Sequence, residues 1–456
     1  MTATHLFDWS PSKPSHLFYQ TGGRRPFIDR AEGIYIWDKQ GRQFIDGSSG
    51  AMVSNIGHGN SRVLEAMRAQ MNETTFGYRL HFENEPAERL ASVLSNLCPP
   101  GLDRVFFASG GSEAVESCIK LARQYAIAKG EAKRVEVISR APSYHGSTFG
   151  ALGVTSYGPL NDPFAPMVRA MPKIPAPRAY LDRDNLDNDA RGLRYADMLR
   201  DKIEELGPEN VLAFIMEPIG GASTGALVAP DSYYQRIRDI CDEFGVLLIY
   251  DEVMTGVGRT GKFLGADHWG QKPDIIALSK GLGAGYVPLG AMIARRDIVD
   301  AVVAGGGFMH GYTYAGNPLA CATGLAVIKE IFDNDLMANA ARVGELLKSR
   351  LAALMDRYPF IGDVRGKGLL LAFELVSDRA TMRPLPKAMN AFTKLVECAY
   401  DEQLIIYSRR THGYEGDHFL VCPPMVTTEA QVDEIMDKLV KALDRFARNE
   451  NLPVNG

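Results

Sequence analysis

The chain has 456 residues, 46% hydrophobic and 23% charged, a balance that supports two or three cored units and excludes a disordered chain. Its 50 basic and 55 acidic side chains leave a net charge of −5, so no electrostatic argument favours a nucleic-acid partner. No apolar run reaches the roughly 18 residues of a membrane span, and the stretch Met1–Trp9 lacks the basic and apolar regions of a secretory signal. Cysteines 98, 118, 241, 321, 398 and 422 stand far apart with no Cys-x-x-Cys, so reduced thiols in a cytoplasmic protein are expected, with no disulfide or metal framework.

Residues 1 to about 30 are polar and proline-rich and are expected to lie across another surface. Strands are expected at 33–38 and 43–46, then a glycine- and serine-rich loop from Gly47 to Gly59 and helical spacing from Arg62. From about residue 85 to 300, strands at 105–108, 135–138, 211–216, 246–250, 274–278 and 289–294 alternate with helices such as 112–129 and 231–244. That alternation predicts an α/β fold around a mostly parallel sheet covered on both faces. Residues 155 to 194, rich in Pro, Asp and Arg, read as a long loop region. Asn317-Pro318 opens a helix running to about Phe332. A further amphipathic helix carries Leu346, Leu347, Leu351 and Leu354, and Thr428 to Gln431 form a capping box. The shorter strands between them, at 368–376, 404–407 and 419–422, point to a small α+β unit.

Two apolar runs end in an ionisable residue: Val246–Tyr250 in Asp251, and Ile275–Ser279 in Lys280, which Gly281 and Gly283 follow. In an α/β sheet, ligands bind at the carboxyl ends of the strands. An amine nucleophile must be neutral, which burial favours, and a buried carboxylate needs a partner. The pair suits a Schiff-base lysine and the partner of a pyridinium nitrogen. A solvated lysine and a structural salt bridge or helix cap are the bland alternatives. The turn Ser109-Gly110-Gly111-Ser112 joins a strand to a helix, where free N–H groups bind phosphate well. It is neither a Gly-x-Gly-x-x-Gly nor a P-loop, and a plain capped turn reads the same way. Tyr144-His145-Gly146 offers an aromatic for a planar ring, or merely a surface turn.

In order and spacing these pieces resemble the class III aminotransferases, of the fold-type I pyridoxal-phosphate enzymes. They are Ser-Gly-Gly-Ser-Glu-Ala at 109–114, Tyr-His-Gly at 144–146, Glu217-Pro218, Asp251-Glu252-Val253 with Gly258-Arg259-Thr260-Gly261, Ser279-Lys280-Gly281, and the stretch His310 to Pro318. The resemblance covers roughly residues 30 to 445. It implies a large cofactor domain (71–320) and a smaller α+β domain drawn from both termini (1–70 and 321–456). It implies pyridoxal 5′-phosphate bound by Lys280, with Asp251 on the ring nitrogen and Val253 and Tyr144 on the two ring faces. Gly111 and Ser112 would hold the phosphate, with His145 and Glu217 beside the ring. Thr313 would reach the phosphate of a neighbouring subunit, so a homodimer, or a tetramer, is implied.

Within the family the chain is similar to the ω-amino acid and amine:pyruvate transaminase branch. That implies ping-pong transfer of an amino group from an ω-amino acid or primary amine to a keto acid such as pyruvate. In such relatives a mobile arginine ahead of a Pro-Pro serves the acceptor carboxylate; here Arg409 and Arg410 are the candidates, with solvated loop residues as the alternative. Met52 falls where some amine transaminases carry a Trp, and Tyr19, Tyr78 and Phe82 are further candidate pocket aromatics. An aminomutase or decarboxylase on the same scaffold, or a cofactor-binding protein without turnover, are the competing readings.

Overall fold

The computed structural model describes residues 10, 15–19, 24–410 and 416–455. At its centre is a seven-stranded sheet. In spatial order its strands are Leu102–Ala108, Gly290–Arg295, Ile275–Leu278, Leu247–Asp251, Val211–Met216, Glu136–Ala141 and Lys173–Pro175. Only Gly290–Arg295 runs against its neighbours; the pairings from Ile275–Leu278 across to Lys173–Pro175 are parallel. The fold is thus the expected α/β type with a mostly parallel sheet.

Alternation along each strand explains why the inner runs are apolar throughout. Val137, Ala213, Ile215, Ile249 and Ala277 face the helices Gly111–Ala128 and Arg296–Ala304. Ile138, Phe214, Met216, Leu248 and Tyr250 face the helices Asn188–Leu206 and Asp231–Phe244. Both faces are covered, so there is no solvent side on which polar residues could alternate. Each fully buried Leu, Ile or Phe contributes about 1.5–3 kcal/mol.

Two smaller sheets flank this core. One pairs Ile28–Glu32, Tyr35–Asp38 and Gln43–Asp46 with the late strand Leu404–Ile405, tying the two ends of the chain together. The other runs Ile361–Lys367, Leu370–Asp378, Asp417–Val421, Tyr407–Arg410, with Arg383–Pro384 at one side. The capping box forms as read: Thr428 and Gln431 exchange side-chain and backbone bonds at the start of Glu429–Glu450. Asn317 likewise caps Pro318–Asp333 through Ala320 N.

The expected long loop over 155–194 is corrected. That span holds three short helical turns, the edge strand Lys173–Pro175 and the first residues of the helix Asn188–Leu206, which Asp187 caps. Two of its aspartates, Asp187 and Asp189, are that cap and part of the first turn, where acidic residues are favoured. The helix Glu85–Leu97, which the sequence reading left unnamed, begins at the cap Asn84. Thr411–Glu415 and most of the first 23 residues lie outside the described residues. Among the described residues no helix is long and apolar enough to cross a membrane.

Gly344 lies inside the helix Leu336–Arg357, and a methyl group there would come within 2.3 Å of the Gly368 backbone. Alanine gains about 1 kcal/mol of helix propensity, but backbone cannot move aside as a flexible side chain can. Gly344→Ala is therefore expected to destabilise by about 1–3 kcal/mol net, read as a lower thermal unfolding midpoint; an unchanged or raised midpoint would show that the contact relaxes.

Candidate active site

The functional side chains stand along one edge of the central sheet because each follows the carboxyl end of a strand. Asp251 ends Leu247–Asp251, Lys280 comes two residues after Leu278, and Glu217 comes directly after Met216. Ser109 and Gly110 follow Ala108, and Tyr144 and His145 follow the strand ending at Ala141. Sheet geometry thus gathers residues more than 150 positions apart onto one cavity of about 380 Å³.

Asp251 is 4% exposed. His145 Nδ1 donates to its Oδ2 at 2.8 Å, and Val253 N donates to its Oδ1 at 3.1 Å. A carboxylate has four lone-pair sites, so Asp251 keeps acceptor capacity toward the cavity. Glu217 Oε1 accepts from Gly221 N at 2.8 Å, while its buried Oε2 finds no hydrogen-bond donor and lies 3.9 Å from Arg140 Nη2. Burial raises the Glu217 carboxyl above its ordinary range. Burial also lowers the Lys280 amine, against the opposing pull of Asp251 and Glu217. Lys280 has φ +43°, the left-handed region that non-glycine residues rarely occupy. Such backbone strain concentrates at functional sites.

The other end of the cavity is the N-terminus of the eighteen-residue helix Gly111–Ala128, which has no side-chain cap. Its first N–H groups and the Ser112 hydroxyl, which accepts from Ser147 N at 3.1 Å, form an anion-binding corner. A methyl on Gly111 would come within 2.8 Å of Val253 Cγ1, so only glycine leaves this wall open. Tyr144 and Val253 both line the cavity.

Of the residues singled out in the sequence, Gly111, Ser112, Tyr144, His145, Glu217, Asp251, Val253 and Lys280 share this cavity, together with Met52 and Arg409. Arg409 and Arg410 alternate along the strand Tyr407–Arg410 and so diverge. Arg409 reaches the cavity and donates to Tyr407 Oη at 2.8 and 3.1 Å. Arg410 lies over the Phe392 ring and 3.6 Å from Asp417. Tyr19, Phe82 and Thr313 are exposed and off this cavity's wall, as is Tyr78. The wall also includes Tyr157, Leu160, Ala222, Ser223, Met254 and Tyr407, which the sequence reading passed over. For Tyr407 a signal existed: it stands two residues before Arg409, on the same strand face. Tyr157 and Leu160 lay in the span read as loop.

Comparison with known proteins bears on the family. The model of the family "Aminotransferase class-III" matches residues 19–443. The uncharacterized aminotransferase YodT of Bacillus subtilis is 36% identical, covering 93% of this chain and 96% of its own. The putrescine–pyruvate aminotransferase of Pseudomonas aeruginosa is 34% identical, covering 92% and 91%. An amine transaminase from an uncultivated Pseudomonas species, solved in its PLP-bound form, superimposes with a TM-score of 0.87 at 35% identity, covering 95% of this chain and 99% of its own. With nearly its whole length matched in sequence and fold, the chain belongs to the class III aminotransferases.

Proposed function

We propose that the protein is a pyridoxal-phosphate-dependent transaminase that moves the amino group of an ω-amino acid or primary amine to a keto acid, pyruvate foremost. The observation that carries this reading is the convergence of Lys280, Asp251 and an uncapped helix N-terminus on one cavity. The residues present fit the cofactor. Gly111, Ser112 and their N–H groups suit its phosphate, Val253 and Tyr144 suit the two ring faces, and Asp251 suits a protonated ring nitrogen. His145 orients Asp251 through the 2.8 Å bond, and Glu217 stands beside it in the same pocket.

When bound, the cofactor supplies an electron-poor ring that stabilises charge at the carbon bearing the substrate amine. The protein does the rest. Lys280 is the amine on the cavity wall, and burial favours its neutral form. It holds the cofactor between turnovers and moves the proton of the substrate carbon. Asp251, fixed by His145 and by Val253 N, would accept from a protonated ring nitrogen. The same groups serve both half-reactions, which is the basis of ping-pong transfer.

The substrate side of the cavity supports an amine donor with an apolar body. Ala51, Met52, Leu160, Ala222 and Met254 present little polarity. Arg409, held by the Tyr407 and Tyr157 hydroxyls and without a carboxylate in ion-pair reach among the described residues, suits an acceptor carboxylate. A homodimer also belongs to this reading. Phe76, Tyr78, Leu80 and Phe82 are exposed, as are Met309 and Tyr314, and the Phe76 and Tyr314 rings lie 5.9 Å apart. An apolar patch of this kind suits an interface, and Thr313, next to Tyr314 in sequence, would there serve a partner's phosphate site.

Three outcomes are expected. Lys280→Ala should keep its circular dichroism spectrum but lose the absorption band of lysine-bound cofactor and nearly all turnover with an amine panel and pyruvate; wild-type turnover would overturn the mechanism. Arg409→Leu should raise KM for pyruvate by roughly 10- to 100-fold while sparing the half-reaction with an amine lacking a carboxylate, whereas Arg410→Leu should leave both near wild type; the reverse ranking would reject Arg409. Leu80→Glu should shift the mass seen by light scattering toward the monomer and weaken cofactor retention, and an intact dimer would remove this patch from the interface.

A further inference from the structure

The wall formed by Ala222 and Ser223 belongs to no helix or strand. It is the crest of the connection 217–230, which contains Gly220, Gly221 and Gly225. A glycine-rich loop of this kind does not hold a position by its own propensities. What holds it is one face of the C-terminal sheet. In an antiparallel sheet, residues directly opposite one another share a face. Here Asp363 faces Glu374, Glu374 faces His418, and His418 faces Arg409, a single row across four strands.

Every member of the row has a task. Asp363 Oδ2 and Glu374 Oε2 each accept from Arg365 Nη1 at 2.8 Å. Thus anchored, Arg365 donates from Nε to Gly225 O at 2.7 Å and from Nη2 to Thr224 O at 3.0 Å. His418 Nε2 lies 2.7 Å from Ala222 O; a carbonyl only accepts, so this nitrogen carries the proton. Burial pulls the His418 pKa down to about 3, so the ring is neutral and that tautomer persists. A methyl on Gly225 would come within 2.6 Å of the His418 ring, which shows how closely loop and sheet are pressed together. At the end of the row, Arg409 points into the same cavity.

We infer that His418, with Arg365, sets which substrates the pocket accepts, by fixing the Ala222–Ser223 wall at a constant distance from Arg409. Neither residue lines the cavity; they are positioning residues that act through three backbone carbonyls. The inference rests on the substrate reading above. Its direction follows from the carbonyl. Without the His418 donor, Ala222 O, half-buried in the seam between loop and sheet, is left unpaired, and the solvent open to it is that of the cavity which Ala222 lines. The peptide then turns that way and narrows the pocket, which penalises bulky amines and spares small ones.

The test compares 1-phenylethylamine with isopropylamine, pyruvate being held constant, on the full-length holoenzyme. His418→Leu keeps the volume and removes the donor. It is expected to lower kcat/KM for 1-phenylethylamine relative to isopropylamine by roughly tenfold, while His418→Gln, which retains an N–H, restores much of the ratio. A ratio unchanged in a His418→Leu protein with wild-type circular dichroism overturns the inference, because a merely structural role would lower stability without altering selectivity. If that variant does not fold, Arg365→Lys serves instead: it keeps the charge against Glu374 but loses two carbonyl bonds. The same shift supports the inference, and an unchanged ratio overturns it. A wild-type enzyme that turns over neither amine fails the substrate reading itself, before any variant is compared.

Discussion

A guanidinium with no carboxylate within ion-pair distance, among the described residues, lies at the centre of this molecule. Arg259 is completely buried. It donates to Pro423 O at 2.6 Å, Asn55 Oδ1 at 2.7 Å and Ser49 Oγ at 3.0 Å, with longer bonds to Cys422 O and Leu369 O. Burying a charge without its hydrogen bonds costs several kcal/mol, and burial alone pulls this guanidinium down to about 10. The cost is offset only while the N-terminal loop, the turn at Leu369 and the Cys422-Pro423 stretch all present their oxygens together. One side chain thereby joins the central sheet to the parts of the chain that close over it.

The consequence reaches Lys280. Asn55, held by Arg259, also donates to Val257 O at 3.1 Å, and its amide would lie 2.2 Å from any methyl placed on Gly281. Lys280, the neighbour of that glycine, is kept at φ +43°. A left-handed non-glycine residue costs about 1–3 kcal/mol and persists only where its surroundings over-determine it. The surroundings here are the end of a fully buried strand, a glycine that admits Asn55, and the Ser279 hydroxyl bound to Leu289 O at 2.8 Å. The same logic of glycine for close approach holds at Gly111 against Val253.

Much of the fold was legible because its signals are local. Apolar runs of strand length, the cap Asn317-Pro318 and the Thr428 capping box each depend on neighbours a few residues away. The helix beginning at Asn188 was misread for an instructive reason. Its first turns carry Asp187, Asp189, Arg191 and Arg194, a composition shared by loops and by solvated helix starts; only packing of Tyr195, Ala196, Leu199 and Ile203 against the sheet distinguishes them. In the site, Lys280, Asp251 and the 109–112 turn were legible because each follows a recognisable strand. The residues of the opposite wall, Tyr157, Ala222, Ser223 and Met254, form no motif, and nothing in their spacing sets them apart from other residues of their types.

The sequence by itself determined the strand ends and therefore the ionisable groups that stand at the sheet's carboxyl edge, since an apolar strand ends at the first charged residue, which needs polar partners that the loops beyond the sheet supply. Tertiary structure decided which side chains form the far wall of the cavity. Arg409 and Arg410 are indistinguishable in sequence, and a two-residue period sends one to the cavity and the other to Asp417 only once the strand is paired in register with Asp417–Val421. The loop wall at Ala222 is likewise defined by His418 and Arg365, nearly 200 and about 140 positions away. Register and long-range hydrogen bonds are properties of the assembled sheet, and no local segment contains them.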